Sequence, residues 1–227
     1  MNYTTCVLYW GYGKYEPLLF RWLGAYKGTS PIAVLTDLVT PLPPLVTSDD
    51  QIRILRVDPL AAGVPHNAAY PFDYKAALVC SLLQQTTEAL FVVDADALVV
   101  ADPTPHLSKA ERAPLAMPLD EGALNQCIAG TSYKKRCAGV MWFGEAPAHI
   151  RSGLVNDYIT AFYGMQTNDG EDRRLCEQNA WSLVAGRGYY PVLPRELNWP
   201  DHFRHVGPNP NAAILHRIGR RKWAKQT

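Results

Sequence analysis

The sequence predicts an α/β protein: a mostly parallel, twisted sheet flanked by helices in a single domain. Three observations predict it. Short apolar runs alternate with helix-period segments over residues 4–93, the order that right-handed crossovers turn into a parallel sheet. The run Leu90-Phe91-Val92-Val93 is apolar at every position, as a strand buried on both faces must be. The length, 227 residues, suits one domain with a substantial core.

The elements follow in order. Residues 4–10 form a first strand that ends in Gly11-Tyr12-Gly13. Residues 16–27 are helical, with Leu18, Leu19, Trp22 and Leu23 on one face. Residues 31–36 and 52–57 are apolar strands, joined through Thr40-Pro41-Leu42-Pro43-Pro44, whose prolines demand an extended connector. Asp73 is suited to cap a helix that runs to Gln85. That start puts Lys75 in the first turn, where an ammonium and the helix N-terminus both favour an anion. The strand at Leu90–Val93 follows. Beyond it, residues 114–118, 138–143, 189–193 and 212–215 read as strands, and 149–163 and 172–185 as helices. Residues 120–135 lack a clean period and contain Gly122, Gly130 and Ser132. A loop of that length in a compact domain points to function.

Composition excludes several classes. With 48% hydrophobic and 19% charged residues the chain is not a disordered protein. A net charge of +1 gives no global case for nucleic acid. The charge is uneven, however: residues 216–227 carry +5 with no acid, leaving −4 elsewhere. An anion near the C-terminus is therefore expected. Five scattered cysteines with no C-x-x-C pair exclude zinc ribbons and dithiol redox motifs. Cys6 and Cys80, in apolar contexts, read as buried free thiols and favour a reducing compartment. No apolar run approaches the roughly 18 residues of a membrane span, and no signal peptide is visible, so the expected location is cytoplasmic.

The chemistry-bearing residues cluster in a few places. Asp94-Ala95-Asp96 directly follows the buried strand, at the carboxyl edge of the sheet where open α/β folds bind ligands. Two carboxylates spaced i, i+2 can converge on a hard divalent cation. The alternative is a solvated turn or a helix cap. His216 ends a short apolar strand; on its own it is better explained as a histidine at the core's edge. Gly219 after it allows backbone to approach an oxyanion, and Lys222 supplies a point charge for phosphate, although the basic stretch also suits a solvated tail. Carboxylates joined by one imidazole suit Mn²⁺ better than Mg²⁺. Lys75 is otherwise an ordinary exposed lysine. Glu177 and Gln178 lie in a helix whose polar face explains them equally well. Tyr9, Trp10, Tyr12 and Tyr15, at the end of the first strand, can stack on a base or simply pack in the core.

Taken in order, these landmarks resemble a family. Aromatic residues close strand one, then come Lys75, Asp94-Ala95-Asp96, Ala138-Gly139-Val140, Glu177-Gln178, Leu193-Pro194 with Asn198, and His216-x-x-Gly219-x-x-Lys222-Trp223. The pattern resembles the metal-dependent nucleotide-sugar glycosyltransferases of the GT-A fold, in the group of glycogenin and the bacterial lipooligosaccharide galactosyltransferases. It covers nearly the whole chain. The resemblance implies a Rossmann-like GT-A domain over residues 1–227, with a nucleotide-binding half (1–100) and an acceptor half (101–227). It implies Mn²⁺, with Mg²⁺ as the alternative, on Asp94, Asp96 and His216, and a UDP-sugar as donor. Gly219 and Lys222 would hold the diphosphate, Lys222 also assisting its departure. Lys75 and Asp120 would face the donor sugar or its phosphate, and Asp94 would also approach the ribose. Tyr15 or Tyr12 would stack near uracil. Gln178 would lie beneath the anomeric carbon and Glu177 would hydrogen-bond the sugar. Transfer to an acceptor hydroxyl with retention follows, the acceptor being a glycan, a lipid-linked sugar or a protein. Two positions depart from the family. Cys137 stands where an asparagine is usual, and a thiol cannot donate and accept as an amide does. Glu177 stands where an aspartate is usual, one methylene shorter.

Two other readings compete. Val92-Val93-Asp94-Ala95-Asp96 also resembles the nucleophile strand of aspartate-dependent phosphohydrolases, although that strand normally lies near the N-terminus. A transferase fold that binds a nucleotide sugar or glycan without turnover is the third reading.

Overall fold

The computed structural model describes residues 1–11, 15–64, 71–120, 126–166, 176–200 and 209–216. In chain order its elements are β1 (Thr4–Leu8), α1 (Glu16–Ala25), β2 (Ile32–Asp37), α2 (Pro44–Thr47), β3 (Ile52–Val57), α3 (Pro71–Gln85), β4 (Leu90–Val93), β5 (Ala97–Val99), α4 (Thr104–Leu107), β6 (Met117–Pro118), β7 (Val140–Phe143), α5 (Ala148–Gln166), α6 (Cys176–Arg187), β8 (Val192–Leu193), β9 (Trp199–Pro200) and β10 (Ile214–His216).

The main sheet has the order β3-β2-β1-β4-β7. The first four strands are parallel; β7 runs antiparallel to β4. Because β4 has a neighbour on each edge and a core layer on each face, every one of its side chains is buried. The period of two sorts them. Cys6, Leu8, Leu90 and Val92 join the layer formed with α3, α5 and α6. Val7, Tyr9, Phe91 and Val93 join the layer that contains Leu19 and Trp22 of α1. The expected mostly parallel α/β sheet is therefore the observed one.

Several boundaries differ from the expectation, each for a local reason. The apolar run 90–100 is two strands. The chain turns at Asp94, with the Ala97 N–H donating to the Asp94 carbonyl, and β5 leaves the main sheet. There it pairs antiparallel with β10, which also pairs parallel with β9. The proline connector stays extended only to Pro43; Pro44 opens the helical turn α2, where its fixed φ suits a first position. Helix α3 begins at Pro71, so Asp73 lies within the first turn rather than capping it, and Lys75 lies in the second turn. The strand expected at 189–193 shrinks to Val192–Leu193 because Tyr189 has φ 51°, outside any strand. The beginning expected for α6 lies outside the described residues, as do Tyr12, Gly219 and Lys222. All five cysteines are free, with Cys6 and Cys80 buried and Cys127 exposed. Among the described residues no helix is long and apolar enough to cross a membrane.

One carboxylate anchors the carboxyl edge of the sheet. Asp37 closes β2 and accepts from the Val39 and Thr40 N–H groups, the Thr40 hydroxyl and the Tyr74 hydroxyl. Burial pushes its pKa up, but the bonds from Tyr74, Thr40 and Val39 outweigh burial and hold the carboxyl below its ordinary range. A depressed pKa adds stability above the unfolded value, and that stability disappears as pH falls through the folded value. Asp37→Asn is expected to flatten the acid limb of stability below about pH 4. Urea melts across that limb check it; parallel limbs in the two proteins would refute the assignment.

Candidate active site

The β4–β5 turn holds Asp94 and Asp96, both half-buried. The Asp94 N–H donates to the Gly139 carbonyl at 2.8 Å, which extends the β4–β7 ladder by one rung and fixes the turn's first residue. The register of the small sheet then brings in the far end of the chain: His216 pairs opposite Ala97, one residue beyond Asp96. His216 Nε2 lies 3.5 Å from Asp96 Oδ1. One ligand atom from each of Asp94, Asp96 and His216 falls within 4.8 Å of the others. A residue at 120 positions' separation in sequence is thus delivered by a three-residue strand.

The backbone beneath this cluster has to be glycine. A Cβ on Gly139 would sit 2.5 Å from His216 Cε1, 2.9 Å from Nε2 and 3.1 Å from Asp94 Oδ2. The Ala-Gly-Val landmark is therefore the floor on which the imidazole and the carboxylate rest.

Lys75 is neither exposed nor free to meet an anion through a helix terminus. It is 3% exposed. Its ammonium donates to Asp94 Oδ2 and to the Ala138 carbonyl, both at 3.1 Å, and lies 3.6 Å from Glu177 Oε1. Burial works against its charge, but Asp94 and Glu177 outweigh it and hold the pKa above the ordinary lysine value. Glu177 is as deeply buried, and its Oε1 accepts no hydrogen bond. Burial pushes its carboxyl up to about 7, against the pull of Lys75. Between the ordinary carboxylate pKa and about 7 the folded protein holds a proton there that the unfolded chain has lost. That term falls away as pH rises through the window. Glu177→Gln, which cannot ionise, is expected to gain stability relative to wild type as pH rises through that window. Metal-free denaturation on both sides of it checks this; a pH-independent difference would count against the buried carboxyl.

Gln178, on the same helix, is half-buried and donates from Nε2 to Asp120 Oδ2 at 2.7 Å. Asp120 is carried by the segment after β6, whose N–H donates to the Lys135 carbonyl. Tyr15, at the start of α1, packs on Trp10 with 5.6 Å between ring centroids, and Trp10 in turn lies 6.4 Å from Tyr74. Tyr9 is core instead. The structure thus gathers Lys75, Asp94, Asp96, Glu177 and His216 into one charged cluster and pairs Asp120 with Gln178. Two further side chains touch His216 that no local pattern ties to it. Cys137 Sγ lies 3.5 Å from His216 Nδ1, and Asn198 Oδ1 lies 2.7 Å from the same atom. Asn198 was legible only as a landmark after Leu193-Pro194; no local pattern ties it to residue 216.

These residues fit a divalent cation. Among the described residues the Lys75 ammonium is shared by Asp94 and Glu177, and Asp94 Oδ1 is buried without a hydrogen bond. Burial and Asp96 push the Asp94 carboxyl up despite Lys75 and His216. Burial disfavours a charged His216, yet its acceptors, Cys137 and then Asp96, pull its pKa well above the ordinary value. With oxygen and imidazole donors converging, the cluster has the makeup of a divalent-cation site.

No protein-family model matches the sequence, and no curated protein matches it. Solved structures match the fold. The glycosyltransferase GlyE of Streptococcus pneumoniae TIGR4 superposes on the whole chain with a TM-score of 0.61 at 14% identity. The chain spans 57% of the length of GlyE. The galactosyltransferase LgtC, solved with donor and acceptor sugar analogues, superposes on 96% of the chain and 87% of its own length, with a TM-score of 0.59 at 16% identity. The chain therefore has the GT-A architecture of these glycosyltransferases.

Proposed function

We propose that this protein is a metal-dependent glycosyltransferase that moves a hexose from a UDP-sugar to an acceptor hydroxyl with retention of anomeric configuration. The observation that carries the reading is the convergence of Asp94, Asp96 and His216 at the carboxyl edge of a GT-A sheet. In this reading these three residues hold Mn²⁺ or Mg²⁺, which when bound supplies Lewis-acid neutralisation of a departing nucleoside diphosphate.

The remaining residues divide the work. Lys75 fixes Asp94 from behind, and Glu177 acts through Lys75 rather than on the sugar. Asp120 fixes the Gln178 amide, which positions the attack at the anomeric carbon. Gly219 and Lys222 take the diphosphate, as the resemblance implies. Tyr15 and Trp10 offer a face for the base. The anomeric carbon–oxygen bond to the β-phosphate breaks as the bond to the acceptor oxygen forms. The acceptor's proton passes to the leaving phosphate, so no protein carboxylate has to act as base. The acceptor is a glycan, a lipid-linked sugar or a protein.

Donor hydrolysis tests this without knowledge of the acceptor. A panel of UDP-hexoses incubated with the protein is expected to release UDP with Mn²⁺ and not in chelator. Undiminished release in chelator would overturn the metal role. A phosphoryl group trapped on Asp94 would move the protein to the phosphohydrolases. Tight UDP binding without consumption would make it a binding protein.

A further inference from the structure

We infer that Asn198 is a positioning residue that sets the tautomer of His216 and so presents a bare Nε2 to the metal; this rests on the metal-dependent reading above. Asn198 is fully buried, between the short helical turn at Arg195–Leu197 and β9. Its Nδ2 donates to the Leu119 carbonyl at 3.1 Å. That bond decides which way the amide faces, because the flipped amide would set its own oxygen against a carbonyl oxygen. Oδ1 is left facing His216 Nδ1 at 2.7 Å. An amide oxygen only accepts, so Nδ1 must carry the proton. A neutral imidazole has one N–H, and its lone pair then lies on Nε2.

Nε2 is the atom that faces Asp96 at 3.5 Å. The opposite tautomer would point an N–H into the acidic cluster and leave no lone pair there for a cation. Cys137 Sγ also lies beside Nδ1, but at 3.5 Å a sulfur is a poor acceptor next to an amide oxygen at 2.7 Å. The strand pairing supports the contact. His216 pairs with Pro200 in β9, which places Asn198 within reach of the ring. Leu119 directly precedes Asp120, so one backbone segment anchors both the tautomer-setting amide and the carboxylate that holds Gln178. Outer partners of this kind orient metal-binding histidines and raise their basicity.

Two measurements test the inference. Nitrogen-15 NMR of the metal-free protein, at a pH that leaves the imidazole neutral, is expected to show His216 protonated on Nδ1. Asn198→Leu is expected to lose that preference, while Cys137→Ala keeps it. Wild-type His216 protonated on Nε2, or a preference that follows Cys137 instead, overturns the inference. Titration with Mn²⁺ alone, followed by electron paramagnetic resonance, is expected to show affinity lowered about 10- to 100-fold by Asn198→Leu and little changed by Cys137→Ala. Unchanged affinity in Asn198→Leu overturns it. If Asn198→Leu fails to fold, the wild-type tautomer still decides. If wild type binds no Mn²⁺, the proposed function fails, and the tautomer measurement judges Asn198 separately.

Discussion

Asp96→Asn is expected to abolish Mn²⁺-dependent donor turnover, by on the order of 10³-fold, without loss of folded stability in chelator. The size follows from several kcal/mol of Lewis-acid assistance at 1.36 kcal/mol per tenfold. Asp96 is half-exposed, and among the described residues it faces His216 Nε2 at 3.5 Å. Its charge pushes the Asp94 carboxyl up, so without a cation the wild-type pair is repulsive. The amide keeps the side chain's shape and removes that repulsion. The metal-free variant should therefore melt no earlier than wild type. Addition of Mn²⁺ should raise the melting temperature of wild type by mass action and leave the variant almost unmoved. A variant that retains both turnover and the Mn²⁺ shift would remove Asp96 from the metal site.

Lys75→Met carries the largest expected effect on stability. The ammonium is shared by Asp94 and Glu177 and anchored on the Ala138 carbonyl. Its removal leaves the Asp94 and Glu177 carboxyls without the ammonium they share. Breaking a buried pair from one side costs about 3–5 kcal/mol. At a pH where Glu177 ionises in this variant, adding Glu177→Gln should recover part of the loss, because one of the stranded charges is then gone. Urea denaturation in chelator measures both steps. A loss below about 1 kcal/mol, the scale of an exposed ion pair, would show that Lys75 is not an internal cation.

Much of this protein was legible along the chain. The apolar run before Asp94 read as an interior strand, and the strand–helix alternation as a mostly parallel sheet with its carboxyl edge at the two aspartates. Local patterns of this kind survive folding because each depends on neighbours within a few residues. Lys75 was misplaced in detail for the complementary reason. An ammonium two residues after a candidate cap looks solvated, and only the packing of α3 against β4 and α6 shows it sealed under two carboxyls. Glu177 followed it inward: with the lysine at hand, the longer acid reaches the ion pair.

The sequence by itself determined the kind of edge this protein presents: a buried strand ending in paired carboxylates, with an imidazole on a distant short strand. Tertiary structure alone decided that these meet, because the pairing of β5 with β10 is a long-range register that no period encodes. It also decided what surrounds them, since Gly139, Cys137 and Asn198 touch His216 only through non-local packing.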